Sequence, residues 1–286
     1  MPPRPFALLD VFAARPLEGN GLAVVLEADG LADATMHAFA RETRLSETSF
    51  VQSPEAPGAD YRHRIWTMGG EIPFAGHPSL GAAVAVAHAC GEDAATYVQQ
   101  TQPGLQPVDV ERDGRRARAS MLQEPATFGP ELDPADVLAR VGLPASAAHP
   151  DLPCQVVGTG VPQVLAPVAG AAELAAARPD YARIGPLLAE HGAVVLYVAV
   201  VDPETGATRA RSFGGSAEMG EDPATGSAVG PLCALVAARG GAHALAIVQG
   251  VEVGRPSRLE ATLDSDRVRV SGDVILVASG TVHLDD

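Results

Sequence analysis

The spacing of apolar and polar positions changes period several times along the chain. Phe6-Ala-Leu-Leu-Asp-Val-Phe12 is a short apolar run of the kind a buried strand shows, and Glu18-Gly-Asn-Gly21 turns it into a second run, residues 22–26, predicting a hairpin. Residues 33–42 place Met36, Phe39 and Ala40 at helical intervals behind Asp33, a residue suited to an N-cap. Alternation predicts strands at 47–52 and 65–68. Residues 78–90 are almost uninterrupted Ala, Val and Leu, too long for one strand, and predict a buried helix. Strands follow at 97–101, 105–111 and 116–122, the last two separated by the turn Asp113-Gly114.

A Pro- and Glu-containing stretch, residues 123–134, interrupts the pattern, and such composition marks a domain border. Domains of 1–125 and 126–286 are expected, with a final strand able to pack back on the first. The second half repeats the first in outline. It has a short helix at 135–141, strands at 155–158 and 163–167, a helix at 171–177, and strands at 193–201 and 209–213. A helix from about 225 to 238 and strands at 246–249, 258–263, 268–270 and 274–282 complete it. The likeness is sharpest between residues 64–84 and 211–229, where His77-Pro-Ser-Leu-Gly81 is set against Asp222-Pro-Ala-Thr-Gly226, an offset of 145 residues. A fixed offset near half the chain length points to two similar halves related by a pseudo-two-fold axis; shared Ala and Gly richness is the alternative.

Composition then narrows the chemistry. Acidic residues outnumber basic ones 35 to 20, a formal charge of -15, which repels a phosphate backbone, so nucleic acid is not an expected partner. All 20 basic residues are Arg. Without Lys there is no Schiff-base chemistry and no phosphate loop of the Gly-Lys-Ser/Thr kind. Cys90, Cys154 and Cys233 are an odd, widely spaced set that suggests neither disulfides nor zinc, and His63, His88, His149 and His191 show no metal-ligand spacing, so no metal is assigned. The beginning of the chain shows no export signal, and the longest apolar run, residues 193–201, is about half of the roughly twenty residues a membrane-spanning helix needs. A cytoplasmic protein without membrane partners is expected.

Three ionisable residues sit beside the repeated segments: Glu47 in Leu45-Ser-Glu-Thr-Ser-Phe50, His77 in Pro73-Phe-Ala-Gly-His-Pro78, and Asp222 in Glu221-Asp-Pro-Ala-Thr-Gly-Ser-Ala228. A Pro in the first turn of each buried helix would set two helix N-termini toward an interdomain cleft, where free N–H groups favour a carboxylate. Small residues there, Gly76, Gly81, Gly226, Ser227 and Ala228, would let a ligand approach the backbone. A carboxyl partly withdrawn from water can take and return a proton near neutral pH. Read singly, Glu47 equally fits a solvated strand entry, Asp222 a helix cap and His77 a satisfied core histidine.

These three segments, in this order and spacing, resemble the motifs of the phenazine-biosynthesis PhzF-like family. Asp10-Val-Phe with Gly19-Asn20, Gly158-Thr-Gly-Val-Pro162 and Gln249-Gly-Val-Glu-Val-Gly-Arg-Pro-Ser257 extend the resemblance over nearly the whole chain. It implies the α+β fold of diaminopimelate epimerase: two pseudo-symmetric domains, each a mostly antiparallel sheet around a central helix, with the active site between them. It further implies a cofactor-independent isomerase acting on a small unsaturated amino or carboxylic acid, with Glu47 as general acid/base assisted by His77 and Asp222. Asn20, Ser46, Gly76, Gly226 and Ser227 fall on substrate-binding positions, and secondary metabolism such as antibiotic biosynthesis is the expected setting, with a homodimer left open. Related epimerases use two thiols, one from each half, and no Cys lies in these motifs. Gly21, Met68-Gly-Gly70 and Gly214-Gly-Ser216 depart from the family's Pro-containing pattern, which bears on the substrate. An epimerase of the same fold, or a non-catalytic ligand-binding member, are the alternative readings.

Overall fold

The computed structural model describes residues 3–284 and shows an α+β chain that divides into two compact units, one running up to Met121 and resuming at Ser271, the other Leu122–Val270. The first unit holds β1 (Arg4–Val11), β2 (Asn20–Val25), α1 (Asp33–Thr43), β3 (Glu47–Gln52), β4 (Tyr61–Thr67), β5 (Gly70–Ile72), α2 (Gly76–Cys90), β6 (Ala94–Thr101), β7 (Gly104–Asp113) and β8 (Arg116–Leu122). The hairpin expected at the start forms, with β1 antiparallel to β2 and Leu9 opposite Leu22. β2 is parallel to β3, β3 antiparallel to β4, β4 antiparallel to β5, and after α2 the chain returns as β6, parallel to β4 and antiparallel to β7.

The second unit holds β9 (Thr127–Glu131), α3 (Pro134–Ala139), β10 (Gln155–Gly158), β11 (Pro162–Pro167), α4 (Ala171–Ala176), α5 (Tyr181–His191), β12 (Leu196–Val201), β13 (Ala207–Phe213), β14 (Glu221–Asp222), α6 (Gly226–Ala238), β15 (Ala244–Gln249) and β16 (Ser257–Asp264). The same succession recurs: β10 antiparallel to β11, β11 parallel to β12, β12 antiparallel to β13, β13 to β14, then α6 and β15, parallel to β13 and antiparallel to β16. A last strand, β17 (Arg267–Val282), pairs through Val274–Val282 with β1. The expected strands at 268–270 and 274–282 are thus one.

α2 and α6 are apolar on every side, and such helices belong inside a core. Eleven residues of α2 and ten of α6 are buried. α2 packs against β1, β2, β3, β4, β6 and β7, and α6 against β10, β11, β15 and β16. Outer helices cover the other faces. α1 closes a cluster of Val25, Met36, Phe50 and Trp66, while α3, α4 and α5 close one of Leu138, Leu174, Leu188, Leu196 and Phe213. α5 lies where no helix is predicted: Gly185 and Pro186 mask a heptad in which Ile184, Leu187 and Leu188 are buried.

The repeat is real in topology, but its register differs from the one expected. α2 opens at Gly76 and α6 at Gly226, and each follows a Glu-x-Pro-x-x-Gly segment, Glu71 to Gly76 and Glu221 to Gly226, so the offset here is 150 and not 145. His77 therefore corresponds to Ser227, and Asp222 to Ile72. Pro78 is the third residue of α2 as expected of a first-turn proline, whereas Pro223 lies before α6.

One device holds both hairpins that lead into these helices. Arg64 on β4 makes two bonds to Glu71 on β5, Nε to Oε1 and Nη2 to Oε2, both 2.7 Å, with its guanidinium over the Trp66 ring. Arg211 on β13 makes the same pair of bonds to Glu221 on β14 at 2.8 and 2.7 Å, with its guanidinium over Phe213. The planar fork fits a carboxylate on two points and so fixes direction as well as distance.

Candidate active site

In the first unit, parallel pairing of β2 with β3 sets Leu22 beside Glu47, so Asn20 and Glu47 lie at the same end of neighbouring strands. α2 begins between a β-conformation Ala75 and His77, its second residue, with no side chain capping its N-terminus. Three groups meet here. His77 Nε2 lies 3.3 Å from Glu47 Oε2, with only 4% of the His77 side chain and 17% of the Glu47 side chain exposed. Asn20, itself buried, sets its Nδ2 3.3 Å from His77 Nδ1.

The polarity of these contacts follows from the donors available. An amide nitrogen only donates, so His77 Nδ1 accepts and the neutral ring carries its hydrogen on Nε2, facing the carboxylate. Burial pushes the imidazole down to about 3, which keeps it neutral at physiological pH. At 3.3 Å the His77–Glu47 contact is longer than the about 2.7–2.9 Å of a formed charge-assisted hydrogen bond. Such contacts commonly tighten only when substrate is present. The arrangement offers a sheltered carboxyl group with a neutral N–H donor at its side: a base able to receive a proton and an acid able to give it back.

The second unit holds a different set. Asp222 Oδ2 accepts a 2.6 Å bond from the Thr225 hydroxyl. Three buried glutamines then secure three consecutive residues at the start of α6. Gln249 binds Thr225 through both backbone N–H (3.3 Å) and Oγ1 (3.0 Å), Gln123 Nε2 donates to Gly226 C=O at 3.0 Å, and Gln163 Nε2 approaches Ser227 Oγ at 3.4 Å. Gln123 is held in turn by the Thr159 hydroxyl at 2.6 Å. Gly230 is required here, because a Cβ would stand 1.8 Å from Gln123 Oε1.

Of the expected site residues, the structure brings Glu47, His77 and Asn20 into one cluster, with Gly76 buried at the head of α2. Asn20 is turned to His77. Ser46 is exposed at the approach to β3. Asp222, Gly226 and Ser227 belong to the second set, Asp222 and Ser227 half-buried. Thr225, Gln249, Gln123 and Gln163 were not among the expected residues. Gln249 and Thr225 stand inside conspicuous segments of the sequence, but nothing in spacing marks a glutamine as a support.

The thiols lie apart from both sets. Cys154 and Cys233 are buried, and burial pushes them up to about 12 and about 11, while Cys90 is exposed at the end of α2. Among the described residues no three His, Cys, Asp or Glu side chains gather as a metal-holding group, and no helix is long and apolar enough to cross a membrane.

Residues 9–280 match the family described as phenazine biosynthesis-like protein. The chain belongs to that family. It is 36% identical to the trans-2,3-dihydro-3-hydroxyanthranilate isomerase of Pseudomonas aeruginosa, across 98% of this chain and 99% of the relative. A solved structure described as a predicted epimerase from Pseudomonas aeruginosa is 35% identical and superposes with a TM-score of 0.87, covering 98% of this chain and 99% of the other. A Bacillus anthracis phenazine biosynthesis protein of the PhzF family, 25% identical, gives 0.84 with 99% and 100% covered. The motif resemblance thus holds over the full chain, and this member of the phenazine biosynthesis-like family is an isomerase-class enzyme.

Proposed function

We propose that the protein moves a proton between two carbons of a small unsaturated amino or carboxylic acid without a cofactor, as a step of secondary metabolism. The observation that carries this reading is the shielded contact of Glu47 with neutral His77. The Glu47 carboxylate takes a proton from one carbon, the electron pair left behind spreads into the conjugated system, and the same carboxyl group returns the proton to a second carbon on the same face. His77 Nε2–H steadies the carboxylate between the two transfers. Asp222 assists on the substrate's polar groups, and Ser227 with the amides of Gly76 and Gly226 holds its carboxylate, as uncapped helix N-termini favour. The two units are, in this reading, the pseudo-symmetric domains of the epimerase-like fold.

A single base supports this over inversion of a stereocentre, which usually needs a donor and an acceptor on opposite faces. The buried thiols, held far from the thiolate form, are poor candidates for that pair. The substrate named for the Pseudomonas aeruginosa relative, trans-2,3-dihydro-3-hydroxyanthranilate, is one member of the proposed class. The test is incubation of such acids in deuterated water. Wild-type protein is expected to place label at one carbon, and Glu47→Gln to lower the rate by about 10²–10⁴-fold. Label with inversion at the same carbon, or a rate indifferent to Glu47→Gln, would overturn the reading.

A further inference from the structure

Gln249 closes β15 with its side chain fully buried, and its amide makes four hydrogen bonds. Oε1 accepts from the Tyr197 hydroxyl at 3.0 Å and from the Thr225 backbone N–H at 3.3 Å; Nε2 donates to the Asp222 backbone C=O at 2.8 Å and to Thr225 Oγ1 at 3.0 Å. Two of these partners have fixed polarity. A backbone N–H only donates and a backbone C=O only accepts, so the amide has one possible orientation. Because Nε2 donates to Thr225 Oγ1, that hydroxyl receives on its oxygen and must send its single hydrogen elsewhere. Asp222 Oδ2, 2.6 Å away, is where it goes.

The direction of the whole chain is therefore set at its buried end, from Gln249 to Thr225 to Asp222. Tyr197 keeps its own hydrogen for Gln249, since burial and then the charge of Asp222 push its ionisation far up. We infer that Gln249 is a positioning residue for Asp222: by fixing the direction of the Thr225 hydroxyl it keeps that hydrogen on Asp222 Oδ2 and so holds the carboxylate in its charged form and in one orientation. The inference rests on the proposed role of Asp222 in isomerisation.

The test reads the Asp222 carboxyl group itself, by ¹³C NMR of aspartate-labelled protein, with Asp222→Asn to assign the resonance. Thr225→Val removes the hydroxyl at nearly constant volume and is expected to raise the Asp222 titration midpoint by about one to two pH units, the loss of one hydrogen bond to a charged acceptor. Thr225→Ser keeps the hydroxyl and is expected to restore the wild-type midpoint. Gln249→Met frees the hydroxyl to turn and is expected to raise the midpoint too, with no further rise in the double variant with Thr225→Val. In turnover, the acid limb of kcat is expected to move with the midpoint while KM changes little. A midpoint unmoved in Thr225→Val overturns the positioning role, whatever the enzyme does and whether or not Gln249→Met folds. A midpoint that moves as expected while isomerisation ignores Asp222→Asn upholds the hydrogen-bond chain and overturns the proposed role of Asp222 instead.

Discussion

The two units solve one packing problem in opposite ways. Where the first has Ser49 on β3 and His63 on β4, the second has Tyr197 on β12 and Ala210 on β13, by the registers that set Trp66 against Phe213 in the repeat. Large and small residues have changed strands. Each pair still reaches a buried glutamine from the strand that follows the central helix: His63 bonds Gln99 at 2.8 Å and Ser49 at 2.8 Å, and Tyr197 bonds Gln249 at 3.0 Å. The fold has thus kept the polar link to the glutamine while exchanging an imidazole for a phenol. The same holds at the helix starts, where His77 faces a carboxylate and its counterpart Ser227 faces an amide. A duplicated scaffold has not produced duplicated chemistry: among the described residues the carboxyl–imidazole pair stands at the start of α2, and the equivalent place on α6 holds Ser227 facing Gln163.

The largest expected difference between the units is in their ion pairs. Arg211 and Glu221 are 7% and 10% exposed, and Arg211 Nη1 also bonds the carbonyls of Leu174 and Ala177. Arg64 has as its second partner Asp33, which is 72% exposed. Arg211→Ala, which strands a buried carboxylate, is expected to destabilise by about 3–5 kcal/mol in urea unfolding, and Arg64→Ala by clearly less because water reaches its partners. Equal losses would break the comparison.

Acid sensitivity is the next contrast. Burial pushes His63 down to about 4 and His77 down to about 3, so both stay neutral when folded yet protonate below about 6.5 when unfolded. The unfolded state then binds more protons, and stability is present above pH 6.5 and lost as pH falls toward 4. The loss is on the order of 2 kcal/mol per histidine by pH 5. His63 gives the cleaner reading because its partners are neutral, whereas the Glu47 carboxylate beside His77 works against burial. His63→Asn is expected to flatten the stability profile between pH 7 and 5; an unchanged slope would place the titration elsewhere. The smallest effect sharpens the contrast by its absence. Alkylation of the folded protein is expected to mark Cys90 alone by mass spectrometry and to leave isomerisation unchanged.

Much of this architecture is legible before folding is considered. Residues 78–90 read as a core helix, since an almost unbroken run of Ala, Val and Leu leaves no polar face to solvate, and α2 is found there with Gly76 and His77 added. α5 is hidden because Gly185 and Pro186 read as a break, although the strands of its unit hold Ile184, Leu187 and Leu188 in place. β17 reads as two strands because Ser271-Gly-Asp273 interrupts its alternation, while pairing carries it through. The register of the repeat goes astray for a similar reason. The shared Gly and Pro set His77 against Asp222, and only the helix starts and the two Arg–Glu pairs show the true correspondence.

The apolar central helices, the duplicated order of elements and the family can be read from the amino acids in line, because each is written in local periodicity or in contiguous motifs. Tertiary structure alone decided that Asn20, Glu47 and His77 meet, and that Gln249 reaches both Tyr197 and Thr225. Those residues lie far apart along the chain, and what joins them is parallel strand register and the depth at which a helix begins. A hydrogen bond acquires its direction from the fixed polarity of backbone groups around it, and that is a property of a folded neighbourhood, not of a string.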